Sequence, residues 1–123
     1  MVKLFESEIK IMEVLWEKGN LKATDIVREM VKRTNWNKNT TYTVIKKCIS
    51  KGAIRRDEPG FVCVPLVKKA EIQEYETNEL IGRMFGGSIS NFISSFFVHS
   101  HLSDKEIEEI EAMIKQHKSE ETK

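Results

Sequence analysis

The sequence predicts a mostly α-helical chain with a small β-hairpin wing: a winged helix-turn-helix followed by a C-terminal helical dimerisation domain. Three observations carry that expectation. Apolar residues recur three and four apart in three successive segments, and two short β-type runs follow around Glu58-Pro59-Gly60, giving the order helix, helix, helix, hairpin. From Lys68 onward the helical spacing returns in three further segments. Charge divides along the same line: residues 1–68 hold 14 Lys/Arg against 8 Asp/Glu, and residues 69–123 hold 6 against 11. A basic module joined to an acidic one fits a polyanion at one end and a different task at the other. The expected domains are 1–68, for DNA binding, and 69–123, for dimerisation.

The first helix is read from Ser7 to Lys18, with Ser7 as N-cap, Gly19 past the stop, and Ile9, Met12, Leu15 and Trp16 on one buried face. After a link over Asn20 to Ala23, Thr24 is expected to cap a second helix whose Ile26, Val27, Met30 and Val31 share a face. Asn37 is the expected N-cap of the third helix and Gly52 its C-terminal glycine, with Thr41, Val44, Ile45 and Cys48 facing inward. Its three threonines and Tyr42 are poor helix formers, so packing must hold it. AIRRD and FVCVPLV then form the two strands of the wing.

In the acidic half, KAEIQEYETNELIGRMF is a helix that Gly86-Gly87 stops, and SISNFISSFFVHS is a second. The last helix opens on a capping box, Ser103 to Glu106, and its tail, Ser119 to Lys123, is expected to fray. Three short helices bury little surface alone. Ile72, Tyr75, Leu80, Met84, Phe92, Phe96, Phe97, Ile107, Ile110 and Ile114 are therefore expected to meet the same residues of a second copy.

Several stretches look familiar together: EIKIMEVLWEKGNLKATDIVREM, NWNKNTTYTVIKKCISKGAI, the Gly86-Gly87 break and LSDKEIEEIEAMI. They resemble the penicillinase-repressor (BlaI/MecI) family of bacterial transcriptional regulators from about Ser7 to Ile114. Trp16, and Trp36 followed by Thr40, Thr43 and Lys51-Gly52, are the most specific matches. The resemblance implies a homodimeric winged-helix repressor of a palindromic operator. It also implies inactivation, in some members, when a membrane-bound sensor metalloprotease causes cleavage at an Asn-Phe bond in the dimerisation domain. Alignment puts that bond at Ser95-Phe96, while an Asn-Phe stands four residues earlier at Asn91-Phe92. Asn37-Lys38 replaces the Ser-Pro that opens the third helix in many relatives; Lys47 and Cys48 replace an arginine and a leucine. The operator therefore does not carry over. The copper-responsive branch has paired cysteines near its C-terminus, and none follows Cys63 here.

A helix fits the major groove, where short polar side chains reach base edges. On the third helix Lys38, Asn39, Thr40, Tyr42, Thr43, Lys46 and Lys47 point outward. Thr40 and Thr43 suit bases or phosphates, Lys47 a phosphate or guanine, Lys46 a phosphate, and Asn39 a phosphate at the helix N-terminus. Strand alternation turns one of Arg55 and Arg56 inward, and Arg55 is taken as the wing contact. Asp57 and Glu58 make the wing tip acidic, which gives the wing a minor role. Trp16 and Trp36 are expected to pack.

No apolar run reaches the ~20 residues that span a bilayer, and the glutamates in MVKLFESEIK do not suit a secretory signal. A cytoplasmic chain without membrane insertion is expected. Cys48 and Cys63 read as buried packing residues in a reducing compartment. His99, His101 and His117 lack metal-ligand spacing, so neither metal nor cofactor is expected. No nucleophile–base set or phosphate loop appears, which argues against an enzyme. The alternative from another class is an adaptor whose winged helix binds protein; a small-molecule sensor would need a pocket in the second half.

Overall fold

The computed structural model describes residues 2–121. Six α-helices and three short strands follow one another: α1 (Glu6–Lys18), β1 (Leu21–Lys22), α2 (Ala23–Arg33), α3 (Lys38–Ser50), β2 (Ile54–Asp57), β3 (Val62–Pro65), α4 (Lys69–Phe85), α5 (Ile89–His99) and α6 (Asp104–Glu121). The chain divides into two compact units, Met1–Asn78 and Glu79–Lys123, with the division inside α4.

The first unit is a winged helix-turn-helix, as the sequence predicts. Its core gathers Ile11, Met12, Val14 and Leu15 from α1, Ile26 and Met30 from α2, Val44, Ile45 and Cys48 from α3, and Ile54 and Cys63 from the wing. Each such side chain contributes about 1.5–3 kcal/mol by leaving water. Ile9 and Trp16 are only partly buried, whereas Ile11 and Val14, off the expected stripe, are sealed. The buried arc of α1 is wide because α2, α3 and β3 all pack on it.

Two helix starts differ from expectation. Phe5, not Ser7, is the N-cap of α1, and Glu8 Oε1 accepts from the Phe5 N–H at 2.7 Å. Lys22 precedes α2 in place of Thr24, because Leu21 and Lys22 are drawn into a strand. Leu21 pairs with Cys63 and Lys22 with Val62, so the sheet is antiparallel in the order β1-β3-β2. The Ala23 N–H donates to the Phe61 carbonyl at 3.0 Å, fixing the entry to α2. Val31, expected on the buried face of α2, is 57% exposed.

In the second unit, Gly86 and Gly87 end α4 with positive φ of 58° and 83°, a conformation glycine adopts without a Cβ penalty. The Ser88 hydroxyl caps α5 by accepting from the Asn91 N–H at 3.1 Å. The expected capping box opens α6: Ser103 Oγ accepts from the Glu106 N–H and Glu106 Oε1 from the Ser103 N–H, both at 3.1 Å. Helix α6 runs through Ser119 to Glu121 without the expected fraying, while Thr122 and Lys123 lie outside the described residues.

Candidate nucleic-acid interface

Helix α3 is built to present one polar face. Asn37 caps it, its side-chain oxygen accepting from the Thr40 N–H at 2.8 Å. At the other end Gly52, with φ +80°, donates to Ile49 O at 3.0 Å and Ala53 to Cys48 O at 2.9 Å, the paired bonds of a glycine-terminated helix. With both ends fixed, Thr41, Val44, Ile45 and Cys48 fall inward, all buried, as expected. Lys38, Asn39, Thr40, Thr43, Lys46 and Lys47 are exposed on the other side, and Tyr42 is half-buried. No acidic residue lies on α3, so nothing on the helix offsets its lysines.

The hydroxyls of α3 are not equivalent. Thr43 Oγ1 donates to Asn39 O at 2.9 Å and Thr41 Oγ1 to Asn37 O at 3.1 Å. Thr43 therefore offers its methyl group and oxygen lone pairs outward rather than its proton.

In the wing, Arg55 and Arg56 are both exposed, which corrects the inward turn expected of one of them. Arg55 donates from Nε and a terminal nitrogen to the two oxygens of Asp57 at 2.8 and 3.1 Å. Arg56 donates to Glu58 and lays its guanidinium 3.6 Å from the centre of the Phe61 ring. Phe61 in turn meets Tyr42 edge-on, with ring centres 5.7 Å apart. The sequence gave no hint of Phe61, whose φ of 51° is uncommon for a bulky side chain.

Lys51 belongs to the basic stretch of the sequence but is turned away from this face. Its ammonium lies 2.6 Å from Glu8 Oε1 and 3.0 Å from Lys3 O, and 3.9 Å from the Phe5 ring centre. Glu8 is 1% exposed and its Oε2 has no partner. Behind α2, Arg33 reaches Glu17 at 2.8 Å and Glu29 at 3.3 Å, so that arginine is engaged between helices as well.

Trp16 and Trp36 pack against the core as expected, and the Trp16 indole donates to Val67 O at 2.9 Å. Both cysteines are free and buried. Burial pushes the Cys48 thiol up to about 12 and the Cys63 thiol up to about 11. Among the described residues no group of three or more His, Cys, Asp or Glu could hold a metal ion, and no helix is long and apolar enough to cross a membrane.

Of the residues expected to face a second copy, Ile72 is 3% exposed inside the core of the first unit. It has no surface left for a partner, because the first turn of α4 folds onto that core. Tyr75 is half-buried in the same unit. Leu80, Met84, Phe96, Phe97, Ile107 and Ile114 are exposed. Phe92, Phe96, Phe97 and Ile110, with Ile93, line a wholly apolar hollow of about 250 Å³. The candidate scissile pairs Asn91-Phe92 and Ser95-Phe96 both lie within α5.

The sequence model of the penicillinase repressor family matches residues 4–116. The chain belongs to that family. It is a family of transcriptional repressors, not of enzymes. The penicillinase repressor of Bacillus licheniformis is 24% identical over 119 residues, covering 95% of this chain and 93% of the relative. The methicillin resistance regulatory protein MecI of Mammaliicoccus sciuri is 26% identical over 110 residues, covering 88% and 89%. Among solved structures, the DNA-binding domain of the repressor BlaI matches with a TM-score of 0.52 at 25% identity, over 58% of this chain and 93% of that domain. The monomeric form of Bacillus licheniformis BlaI, solved with the blaP half-operator, matches with a TM-score of 0.51 at 24% identity, over 56% of this chain and 87% of that one.

Proposed function

We propose that this chain is a homodimeric, sequence-specific DNA-binding transcriptional repressor working in the cytoplasm. Residues 1–68 bind the duplex and residues 69–123 hold two copies together. The observation that carries the reading is the outward face of α3, where six exposed polar or basic side chains stand on a capped helix with no carboxylate. A helix of this kind enters the major groove with its first turns against base edges. Thr40 and Thr43 meet bases, Lys47 a guanine or phosphate, and Lys38, Asn39 and Lys46 the backbone. Tyr42 packs at the rim, and Arg55 is the wing's backbone contact once Asp57 lets it go.

The exposed apolar side chains of the second unit support dimerisation, since a patch of such residues is rare on a monomer. A dimer turns the second half-site encounter into an intramolecular event and so multiplies two weak affinities. The operator is then a palindrome whose symmetry mirrors that of the protein. Cleavage within α5, at Asn91-Phe92 or Ser95-Phe96, by a system linked to a membrane sensor protease would separate the two functions and release the DNA. A cut there requires α5 to unwind locally, and Asn91-Phe92 is nearer the helix end, where opening is easiest.

A salt titration of full-length protein on duplex DNA separates this from the adaptor reading. A DNA reader loses affinity with a log–log slope of about −0.9 per neutralised phosphate. With Lys38, Lys46, Lys47 and Arg55 engaged, the slope is several units negative. A slope near zero would remove DNA reading and leave protein binding.

A further inference from the structure

The wing carries an arrangement with a consequence for specificity. Four consecutive residues, Arg55-Arg56-Asp57-Glu58, set two guanidinium groups beside two carboxylates with no net charge. The pairs interleave: Arg55 grips Asp57 through two bonds, at 2.8 and 3.1 Å, and Arg56 grips Glu58. Residues two apart in a strand point the same way, so each arginine meets a carboxylate on its own side. The two-pronged guanidinium–carboxylate match is also the geometry by which arginine holds a phosphate. Asp57 thus occupies the donors that Arg55 would offer to a DNA backbone, and Glu58 accepts from Arg56 Nε.

The position of these pairs matters as much as their chemistry. Arg56 lies on Phe61, Phe61 on Tyr42, and the Lys38 ammonium is 6.0 Å from the Tyr42 ring centre. A chain of cation, ring, ring and cation therefore joins the wing to the first turn of α3. The hydrogen bonds from Arg55 hold the Asp57 carboxyl below its ordinary range, and those from Arg56 and the Phe61 N–H do the same for Glu58. Both carboxylates are charged, and both clamps closed, at neutral pH.

We propose that Asp57 and Glu58 are specificity-determining residues, whose carboxylates withhold Arg55 and Arg56 from the DNA backbone on non-cognate sequence. This deepens, and rests on, the DNA-binding reading above. Exposed ion pairs are weak, so a duplex whose bases fit α3 opens the clamps at little cost. A duplex held by phosphates alone has no base contacts to offset even that cost. Discrimination then rests with α3, and general affinity stays low.

The test compares full-length wild type, D57N/E58Q and E108Q/E109Q on two duplexes: one enriched from a random pool by the wild type, and a scrambled duplex of the same composition. The amides keep the side-chain shapes and remove the charge. For D57N/E58Q, affinity for the scrambled duplex is expected to rise about tenfold and its log–log salt slope to steepen by about 1 to 2, for one or two added phosphate contacts. Affinity for the enriched duplex changes less, so selectivity falls. E108Q/E109Q makes the same net charge change on α6 and leaves both affinities within about twofold. The single variants D57N and E58Q each give part of the change and guard against a folding defect in the pair. Unchanged slope and affinity in D57N/E58Q, or an equal rise in E108Q/E109Q, overturns the proposal while DNA reading stands. A wild type with no preferred duplex overturns the DNA reading itself.

Discussion

Thr43 and Lys47 stand one helical turn apart on the exposed side of α3, and Lys46 is displaced by about 100° of helix rotation from Lys47. Thr43 has already given its proton to Asn39 O, so its methyl group is the part free to meet a thymine methyl. Thr43→Ala and Lys47→Ala are expected to weaken binding to the preferred duplex by about 1–3 kcal/mol and to relax the preference at one or two base pairs. Lys46→Ala should weaken every duplex alike and flatten the salt slope by about 1. Competition binding on matched and mismatched duplexes checks both, and unchanged selectivity in the Thr43 variant would show that another face of α3 meets the bases. The cysteines behave differently. With thiols pushed up to about 12 and about 11 by burial, both stay protonated at pH 8. Iodoacetamide at that pH should label the unfolded chain and leave the native one unmodified, as mass spectrometry would show. Because folding raises both values above the model 9.0, their contribution to stability is complete below pH 9 and is lost as pH climbs towards 11–12.

Helix α3 was legible as an element because both ends carry residues with a mechanical role. Asn37 supplies an acceptor for an orphan N–H, and Gly52 supplies the left-handed turn. Those two positions set the register, and the register sets which side chains face out. Asn37→Ala should cost about 1 kcal/mol in denaturant unfolding and weaken DNA binding in proportion, because the first turn would fray. Elements fixed by distant residues were not legible. Strand β1 is two residues long and exists through pairing with Cys63 and Val62, some forty positions away. The start of α1 at Phe5 likewise depends on Glu8, which Lys51 holds from the end of α3. That ion pair ties the two helices together and leaves one carboxylate oxygen without a partner. Lys51→Met should strand a buried charge and destabilise the fold by ~3 kcal/mol or more, with Glu8→Leu/Lys51→Met recovering much of the loss. Equal destabilisation in the single and double variants would mean that the pair itself is not what holds α1 to α3.

At the scale of the whole chain, the charge partition and the order of elements foretold a basic winged helix and an acidic helical segment. The division inside α4 was hidden, because Ile72 has the same spacing as the residues beyond it yet packs into the core of the first unit. Periodicity tells which residues share a face, not what covers that face. The exposed phenylalanines of α5 make the assembly testable. Phe97→Glu should convert a dimer to a monomer by light scattering, and should weaken binding to a two-half-site duplex far more than to a single half-site; a variant that stays dimeric would place the interface elsewhere. The most direct measurement of the central claim, that α3 reads sequence in a symmetric pair, is selection of bound duplexes from a random pool by the full-length protein, followed by sequencing. A palindrome with half-sites about one helical turn apart is the predicted result. Salt-sensitive binding with no enriched sequence would contradict it.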